Sequence, residues 1–282
     1  MNEVKFQTWD DFDGEIRNIV QRHRQYRVDA TPFEIYFRGQ SDASWRLKTT
    51  LERFVKRQLS VLEYFKMIDQ IRYRIETFTG QKWRSPSQEE VDNWLSNLHP
   101  NQKEYFPDFE FMTYLRHHGY PSPFLDWTES PYVAAYLAFR DVTSASEAVA
   151  IYYLSIPTMG KVFPPYLDNT PNIFILDNQV QTNRRHYLQQ SVYSICIEQK
   201  GEQHFYSNHE DLPVMESFLT KYVLPASERV HALTSLDRFN LNAYSLWGTE
   251  ESLLETMYLR SFLHEKIVEE QLPFVKDGRK IT

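Results

Sequence analysis

The segment from Leu115 to Arg140, LRHHGYPSPFLDWTESPYVAAYLAFR, limits the possible folds more than any other part of the chain. Its second half predicts the start of a helix, because Thr128 or Ser130 can act as the N-cap and Pro131 suits the first helical position. The N–H groups at the start of such a helix attract anions. We therefore expect either an anion-binding corner at this point or an ordinary core helix with a polar N-terminus.

The length and composition predict one large folded domain. The chain has 282 residues, of which 41% are hydrophobic and 15% aromatic, enough for a sizeable core. Its net charge of −7 argues against a general nucleic-acid binder but allows a local basic groove. The first residues are neither apolar nor Arg-rich, and no apolar run reaches the roughly 18 residues of a membrane span. We expect a cytoplasmic protein without a membrane segment.

The second half of the chain contains the clearest β-strand patterns. AVAIYYLSIP, NIFILD, SVYSICIEQ and FLTKYVLP are rich in Val, Ile and Tyr and are separated by turn residues, whereas HFYSNHEDL resembles a loop. Nearer the N-terminus, FEIYFRG alternates as a strand that ends with Arg38 and Gly39. The single cysteine, Cys196, lies within one of these patterns, which favours a buried thiol over a nucleophile. These patterns predict an α+β fold with a mixed or antiparallel sheet and flanking helices.

Residues 51–107 lack strand patterns, and we interpret them as a helical insertion or lid within a single domain that covers residues 1–282. Thr49 or Thr50 starts a helical pattern that continues to about Phe78. The sequence VDNWLSNL predicts a short helix after a Ser-Pro-Ser break, and FEFMTYLRHH predicts a helix that ends near His117. A histidine at that position is either a structural residue favoured by the helix dipole or a ligand contact.

Common catalytic motifs are missing from the sequence. It contains no GxGxxG, GxxxxGK, GxSxG or HExxH, and its His and Cys residues lack metal-ligand spacing, so no metal site is expected. A metal-dependent nuclease would need the fold to gather Asp126, Glu129 and Asp237.

Four blocks of the sequence resemble the FRG domain family, which takes its name from Phe-Arg-Gly. The residues that carry the resemblance are, in order, Tyr36 to Asp42 with Trp45, Arg46, Leu47 and Arg53; His117, Gly119, Pro121, Leu125 to Thr128, Ser130, Pro131, Val133 and Ala134; Asn183, Arg185, Gln189 and Gln190; and Leu236 to Arg238 with Leu241 and Asn242. The chain departs from the family pattern at Pro123, where an Arg is common, and Arg116 is the nearest substitute. It also departs at Ser191 and Tyr193, where Gly and Phe are usual.

The layout of these blocks is also similar to that of ADP-ribosyltransferases. A strand that ends in Arg, followed later by a Thr/Ser-Pro helix start, resembles the part of those enzymes that holds NAD. The resemblance implies that Arg38 holds the NAD phosphates and that His117 and Trp127 line the pocket. It implies further contacts with NAD from Gln40, Thr128 and Ser130.

The resemblance to ADP-ribosyltransferases also implies that Gln190 orients the acceptor. The position is Gln where a protein-directed transferase would have a Glu, so a nucleobase in DNA or RNA is the more attractive acceptor, in a defence context such as resistance to phage. The alternative is a non-catalytic module that senses nucleotides or nucleic acid with the same pocket, and a metal-dependent nuclease is the third hypothesis.

Overall fold

A computed structural model of the chain describes residues 2–26, 33–98, 106–157, 162–163, 171–176, 184–211 and 218–271. The helices and strands in these ranges are, in chain order, β1 (Asn2–Lys5), α1 (Trp9–Tyr26), β2 (Phe33–Gln40), α2 (Thr50–Phe54), α3 (Val61–Thr79), α4 (Gln88–Ser96), α5 (Phe109–His117), β3 (Leu125–Thr128), α6 (Pro131–Arg140), β4 (Ala148–Pro157), β5 (Val162–Phe163), β6 (Asn172–Leu176), α7 (Arg184–Leu188), β7 (Ser191–Lys200), β8 (Gln203–Tyr206), β9 (Leu219–Pro225), α8 (Arg229–Arg238), α9 (Ala243–Trp247) and α10 (Glu250–Gln271).

The described strands form one mixed sheet in the order β1-β9-β4-β2-β3-β7-β6-β5, and β8 pairs with β7. The β1–β9 pair is parallel, and the other strand pairs are antiparallel. The predicted α+β fold with a mixed sheet is therefore confirmed. The runs predicted as strands around residues 148–157, 172–176, 191–200 and 219–225 are present as β4, β6, β7 and β9.

One face of the sheet carries a hydrophobic cluster built mainly from strand residues. Buried side chains from β2 and β4, such as Tyr36 and Leu154, share a hydrophobic cluster with Ile175 of β6 and Cys196 of β7. The described members of this cluster come from strands and loops and not from helices. The cluster extends along this face from β9 and β4 through β2, β3 and β7 to β6. We call the face with this cluster the inner face.

Helices cover the outer face in two groups. Helices α1, α6, α8 and α9 pack against β2, β4 and β9 in a cluster that includes Phe37 and Ile151. Helices α3, α4 and α5 pack against the other half of the sheet, where Ile195 and Ile197 alternate along β7 with the inward-facing Cys196. The seam between β2 and β3 lies between these two groups of helices.

Gly39 allows α6 to lie directly against β2. A Cβ atom at this position would be 2.0 Å from the carbonyl oxygen of Ala134 and 2.7 Å from the amide nitrogen of Ala138. Only a residue without a side chain fits such a close approach of two backbones. The glycine after Arg38 therefore fixes the position of α6 relative to the end of β2.

Two sequence predictions are wrong, one for the helix after Thr49 and one for the loop HFYSNHEDL. The helix predicted from Thr49 or Thr50 to Phe78 is two helices, because α2 ends at Phe54 and α3 begins after the N-cap Ser60. Ser60 also forms a β-bridge with Phe205, which lies in β8, within the segment predicted as a loop. The predicted helices around residues 91–98 and 109–118 are confirmed as α4 and α5. Asn183 and residues 99–105 of the predicted insertion lie outside the described residues.

Candidate functional site

Arg38 connects β2 and β3, two neighbouring strands that share very little of the sheet's hydrogen-bond ladder. The ladder between these strands consists of one residue pair, Phe37 with Thr128. Beside it, Nη1 of Arg38 donates a hydrogen bond of 2.7 Å to the main-chain oxygen of Asp126 and lies 3.6 Å from a carboxylate oxygen of the same residue. The Nε of Arg38 is buried and has no hydrogen-bond partner among the described residues. Arg38 thus replaces part of the strand ladder and also approaches a carboxylate.

Arg116, from the last turn of α5, binds the same carboxylate. Its Nε donates to Oδ1 of Asp126 at 2.9 Å, and its Nη2 donates to Oδ2. Nη1 of Arg116 donates to the hydroxyl of Thr50 at 2.8 Å, and that hydroxyl accepts the backbone N–H of Ser122 at 2.9 Å. Such a two-pronged contact is the strong form of an Arg–carboxylate pair. It connects α2, α5 and β3.

Burial and charge act in opposite directions on the ionisable groups of this cluster. Burial raises the pKa of Asp126, but Arg116 and Arg38 outweigh it and hold the pKa at about 2. Burial lowers the pKa of Arg116, but Asp126 outweighs it and the pKa is raised. Burial also lowers the pKa of Arg38. Asp126 does not outweigh burial in this case, because its contact with Arg38 is less direct. Asp126 is therefore ionised at neutral pH, with two guanidinium groups around it.

More basic groups surround this pair of arginines. Arg53, an exposed residue, is close enough for its charge to lower the pKa of Arg38. His117 is close enough to Arg116 and Arg185 for both to lower its pKa, although burial is the largest cause. We call Arg38, Arg53, Arg116, His117 and Arg185 the basic corner.

His117 is neutral at pH 7, because burial lowers its pKa below the ordinary value of 6.5 despite the charge of Asp126. Its Nε2 lies 3.2 Å from the hydroxyl of Tyr193. Tyr193 is the residue of β7 that pairs with Asp126. The imidazole is thus a neutral hydrogen-bonding group beside a positively charged cluster.

The structure places Trp127 and Thr128 in internal contacts. The Trp127 side chain is in the inner-face cluster, and its Nε1 donates to Oγ of Ser194 at 2.7 Å. Thr128 is buried, and its hydroxyl donates to the carbonyl of Gln189 at 2.7 Å and accepts the N–H of Ser130 at 3.1 Å. Trp127 therefore packs on the inner face, and the Thr128 hydroxyl connects the turn before β7 with the start of α6.

Two further residues predicted to contact NAD, Ser130 and Gln40, differ in how deeply their side chains are buried. Ser130, one of the two N-cap candidates in the sequence, is the N-cap of α6 and accepts the N–H of Val133 at 3.3 Å. Gln40 is buried, and its Nε2 lies 3.5 Å from the carbonyl of Arg46, whereas its Oε1 has no partner among the described residues.

Gln190 is exposed in a turn with φ of 48°, and its carbonyl accepts the N–H of Glu129 at 3.1 Å. It precedes by three positions the Tyr193 that pairs with Asp126, which is roughly 10 Å along a strand. Gln190 therefore borders the seam beside Glu129, which follows the single β2–β3 residue pair of Phe37 with Thr128.

Several residues of the site gained their importance only from the structure. Asp126 was a candidate metal ligand in the sequence, yet it is the acceptor for two arginines. His209 had no sequence signal, because it lies in a segment predicted as a loop. Its Nε2 lies 2.8 Å from Oγ of Ser194, and burial lowers its pKa to about 3. It supports Trp127 from the inner face.

Across the described ranges, no group of three or more His, Cys, Asp or Glu residues could hold a metal ion. Of the candidates for a nuclease, Asp126 is engaged by arginines and Asp237 by Arg260. In the same ranges, no helix is both long and apolar enough to cross a membrane.

The fold and the site define an α+β protein with an arginine-rich corner at a sheet seam. The family model of the FRG domain matches residues 34–147, so the chain contains an FRG domain over this range. The matched range extends from β2 beyond α6 and includes Arg38, Arg53, Arg116, His117 and Asp126. Neither the curated proteins nor the solved structures include a match to the chain.

Proposed function

We propose that this chain binds NAD at the basic corner and transfers ADP-ribose from it to an acceptor, with a nucleobase in DNA or RNA as the favoured class. The observation that carries this proposal is that two arginines from different elements share the single carboxylate of Asp126, with Arg53 and Arg185 close by. The pyrophosphate of a dinucleotide carries two negative charges and planar sets of acceptor oxygens. Guanidinium groups match that geometry and remain charged at every physiological pH.

Asp126 holds the two arginines in position and also competes with a phosphate for their donors. A buried guanidinium without a partner is costly, so the carboxylate holds Arg38 and Arg116 in position in the absence of an anion. The Asp126 side chain is 41% exposed, whereas the side chains of both arginines are 13% exposed. An incoming phosphate would contact the exposed Arg53 first and then share the donors that Asp126 keeps aligned.

The proposed transfer breaks the bond between the nicotinamide nitrogen and C1′ of the ribose, and nicotinamide leaves with the electron pair. The acceptor atom forms the new bond to C1′ and releases its proton to solvent. The role proposed for His117 is to hydrogen-bond the substrate as a neutral imidazole, and the role proposed for Gln190 is to orient the acceptor. Trp127, Thr128, Gln40 and Ser130 would shape the wall behind the dinucleotide.

A second candidate is a sensor that binds a nucleotide or nucleic acid without turnover. One observation favours it: the exposed side chain that borders the seam at Gln190 is an amide, which cannot act as a carboxylate would on a developing positive charge. Asp126 is a weak replacement because two guanidinium groups already neutralise it. The two candidates share the binding site and differ only in chemistry.

The direct experiment incubates the full chain with NAD labelled in the adenylate phosphate, together with DNA, RNA or a cell lysate. We expect label on one of these acceptors and an equal amount of released nicotinamide. Arg53→Gln should reduce both signals, whereas Arg74→Gln should not. Arg74 is also exposed, but it lies ten residues, roughly 15 Å, along α3 from Tyr64, which is near Arg116.

Binding of NAD without either signal would identify the sensor. Failure to bind NAD at all would refute both the transferase and an NAD sensor. Gln190→Ala should lower the amount of transferred label more than it lowers NAD affinity, because its proposed role concerns the acceptor.

A further inference from the structure

The fourth block of the FRG resemblance does not contribute to the basic corner. Instead, Asp237, Arg238 and Asn242 line a separate cavity of about 330 Å³ between α6, α8 and α10. Its apolar part is formed by Leu233 and Leu259 and by the ring of Tyr136. A cavity of this size, mostly apolar and with a few polar groups at one side, is typical of a small-molecule site.

The charges at this cavity favour an anion. Asp237 accepts two hydrogen bonds from Arg260, at 2.8 and 2.9 Å, and a third of 2.9 Å from Nδ2 of Asn242. Its carboxylate is therefore already satisfied, and a cationic ligand would have to displace these donors. Arg238 lines the same cavity and is exposed. Two arginines against one aspartate leave a positive charge beside an apolar pocket.

A hydroxyl group in the cavity wall is available to a ligand. Oγ1 of Thr234 is buried and has no hydrogen-bond partner among the described residues. Buried hydroxyl groups normally have a partner, because leaving one without costs free energy. By contrast, the neighbouring hydroxyl of Thr256 donates to the carbonyl of Ser252 at 2.9 Å. Thr234 thus offers a donor that the protein itself does not use.

We propose that this cavity binds a small carboxylate with an apolar body, such as an aromatic acid. The apolar body would fill the space between Leu233, Leu259 and the ring of Tyr136. The carboxylate would accept hydrogen bonds from Thr234 and from the guanidinium of Arg238 or the unused donor of Arg260. This site is independent of the proposed NAD site, which uses none of these residues.

Phenylacetate is a suitable probe, with phenylacetamide and phenethylamine as its neutral and cationic counterparts. We expect phenylacetate to bind the full chain with a dissociation constant of about 1 mM or tighter in a saturation-transfer NMR titration. The amide should bind about tenfold more weakly, and the amine should not bind. Equal binding of the acid and the amine, or no binding of the acid at about 10 mM, would overturn the proposal.

Three variants locate the binding. Leu259→Trp should fill the cavity and abolish binding, and Arg238→Gln should weaken the acid about tenfold but leave the amide unchanged. Thr234→Val should weaken the acid several-fold while keeping or raising the melting temperature, because it removes a buried hydroxyl without a partner. Unchanged phenylacetate affinity in both Leu259→Trp and Thr234→Val would show that the probe binds elsewhere.

Discussion

The guanidinium of Arg38 donates a 2.7 Å hydrogen bond to the main-chain oxygen of Asp126, 88 residues later in the chain. The contact spans a strand pair whose ladder is a single residue pair long. The same aspartate binds Arg116 through its carboxylate, so one residue connects the end of β2, the strand β3 and the helix α5. The stability of this part of the fold and the proposed binding of phosphate depend on the same groups.

Gly39→Ala should destabilise the protein severely. The added Cβ atom would be 2.0 Å from the carbonyl oxygen of Ala134, and a backbone atom cannot move aside as a flexible side chain can. We expect a loss of about 3 kcal/mol or more in the free energy of unfolding, measured by urea denaturation, or a loss of soluble protein. A variant as stable as the wild type would show that α6 does not pack so closely on β2.

Gly14→Ala is the matched control for that substitution. Gly14 lies within α1, and a Cβ atom there would have no atom within 4 Å. Because alanine favours helices more than glycine does, this variant should gain about 0.5–1 kcal/mol in the same measurement.

Asp126→Asn should lose stability and gain affinity for anions. The amide leaves Arg38 and Arg116 without a counter-charge, and the loss should be about 1–2 kcal/mol, less than for a fully buried pair, because the Asp126 side chain is 41% exposed to solvent. The freed guanidinium donors then become available to an added anion. Sulfate or inorganic phosphate should therefore raise the melting temperature of the variant by several degrees more than that of the wild type.

The control for Asp126→Asn is Glu129→Gln, which removes an exposed carboxylate from the same segment. It should change the melting temperature little and should not alter the response to phosphate. An equal response of Asp126→Asn and wild type to phosphate would contradict the assignment of the two arginines to anion binding.

His209 should make the protein less stable in weak acid. Burial lowers its pKa to about 3, against the ordinary value of 6.5, so the unfolded chain takes up a proton that the folded chain refuses. Its contribution to stability is complete above pH 6.5 and is lost as the pH falls from 6.5 toward 3. Between pH 7 and pH 5.5 the wild type should therefore lose about 1 kcal/mol more than His209→Asn.

Only the difference between the two proteins tests His209, because other groups titrate in the same interval. Burial lowers the pKa of His186 to about 4, and burial raises that of Asp108 to about 6 despite its contact with Arg72, so the two act in opposite directions. Parallel stability curves for wild type and His209→Asn between pH 7 and pH 5.5 would show that His209 accepts a proton in the folded state.

The secondary structure was predictable wherever local chemistry decides it. The strand β4 matches its β-branched and aromatic run from Ala148 to Pro157, and α6 begins after Ser130, one of its two expected caps. The break between α2 and α3 was not predictable, because Ser60 leaves the helical pattern to pair with Phe205, 145 positions away. Local sequence contains no information about such a distant partner.

The site was predictable in its residue types but not in its pairing. Arg38 and His117 could be selected from their positions, and Arg116 could be named as a substitute cation. The sequence could not show that Asp126 accepts from both arginines, since the three residues come from β2, α5 and β3. It also could not show that Trp127 faces the interior, because neighbouring residues on both faces of β3 are buried.

The most direct test is a calorimetric titration of the wild type, Arg53→Gln and Arg74→Gln with NAD at low salt. If the basic corner holds the pyrophosphate, the wild type and Arg74→Gln should bind NAD with similar affinity. Arg53→Gln should bind about tenfold more weakly, because a hydrogen bond to a charged group contributes about 1.5 kcal/mol. Absence of NAD binding by the wild type, or equal affinity in all three proteins, would contradict the assignment of this corner.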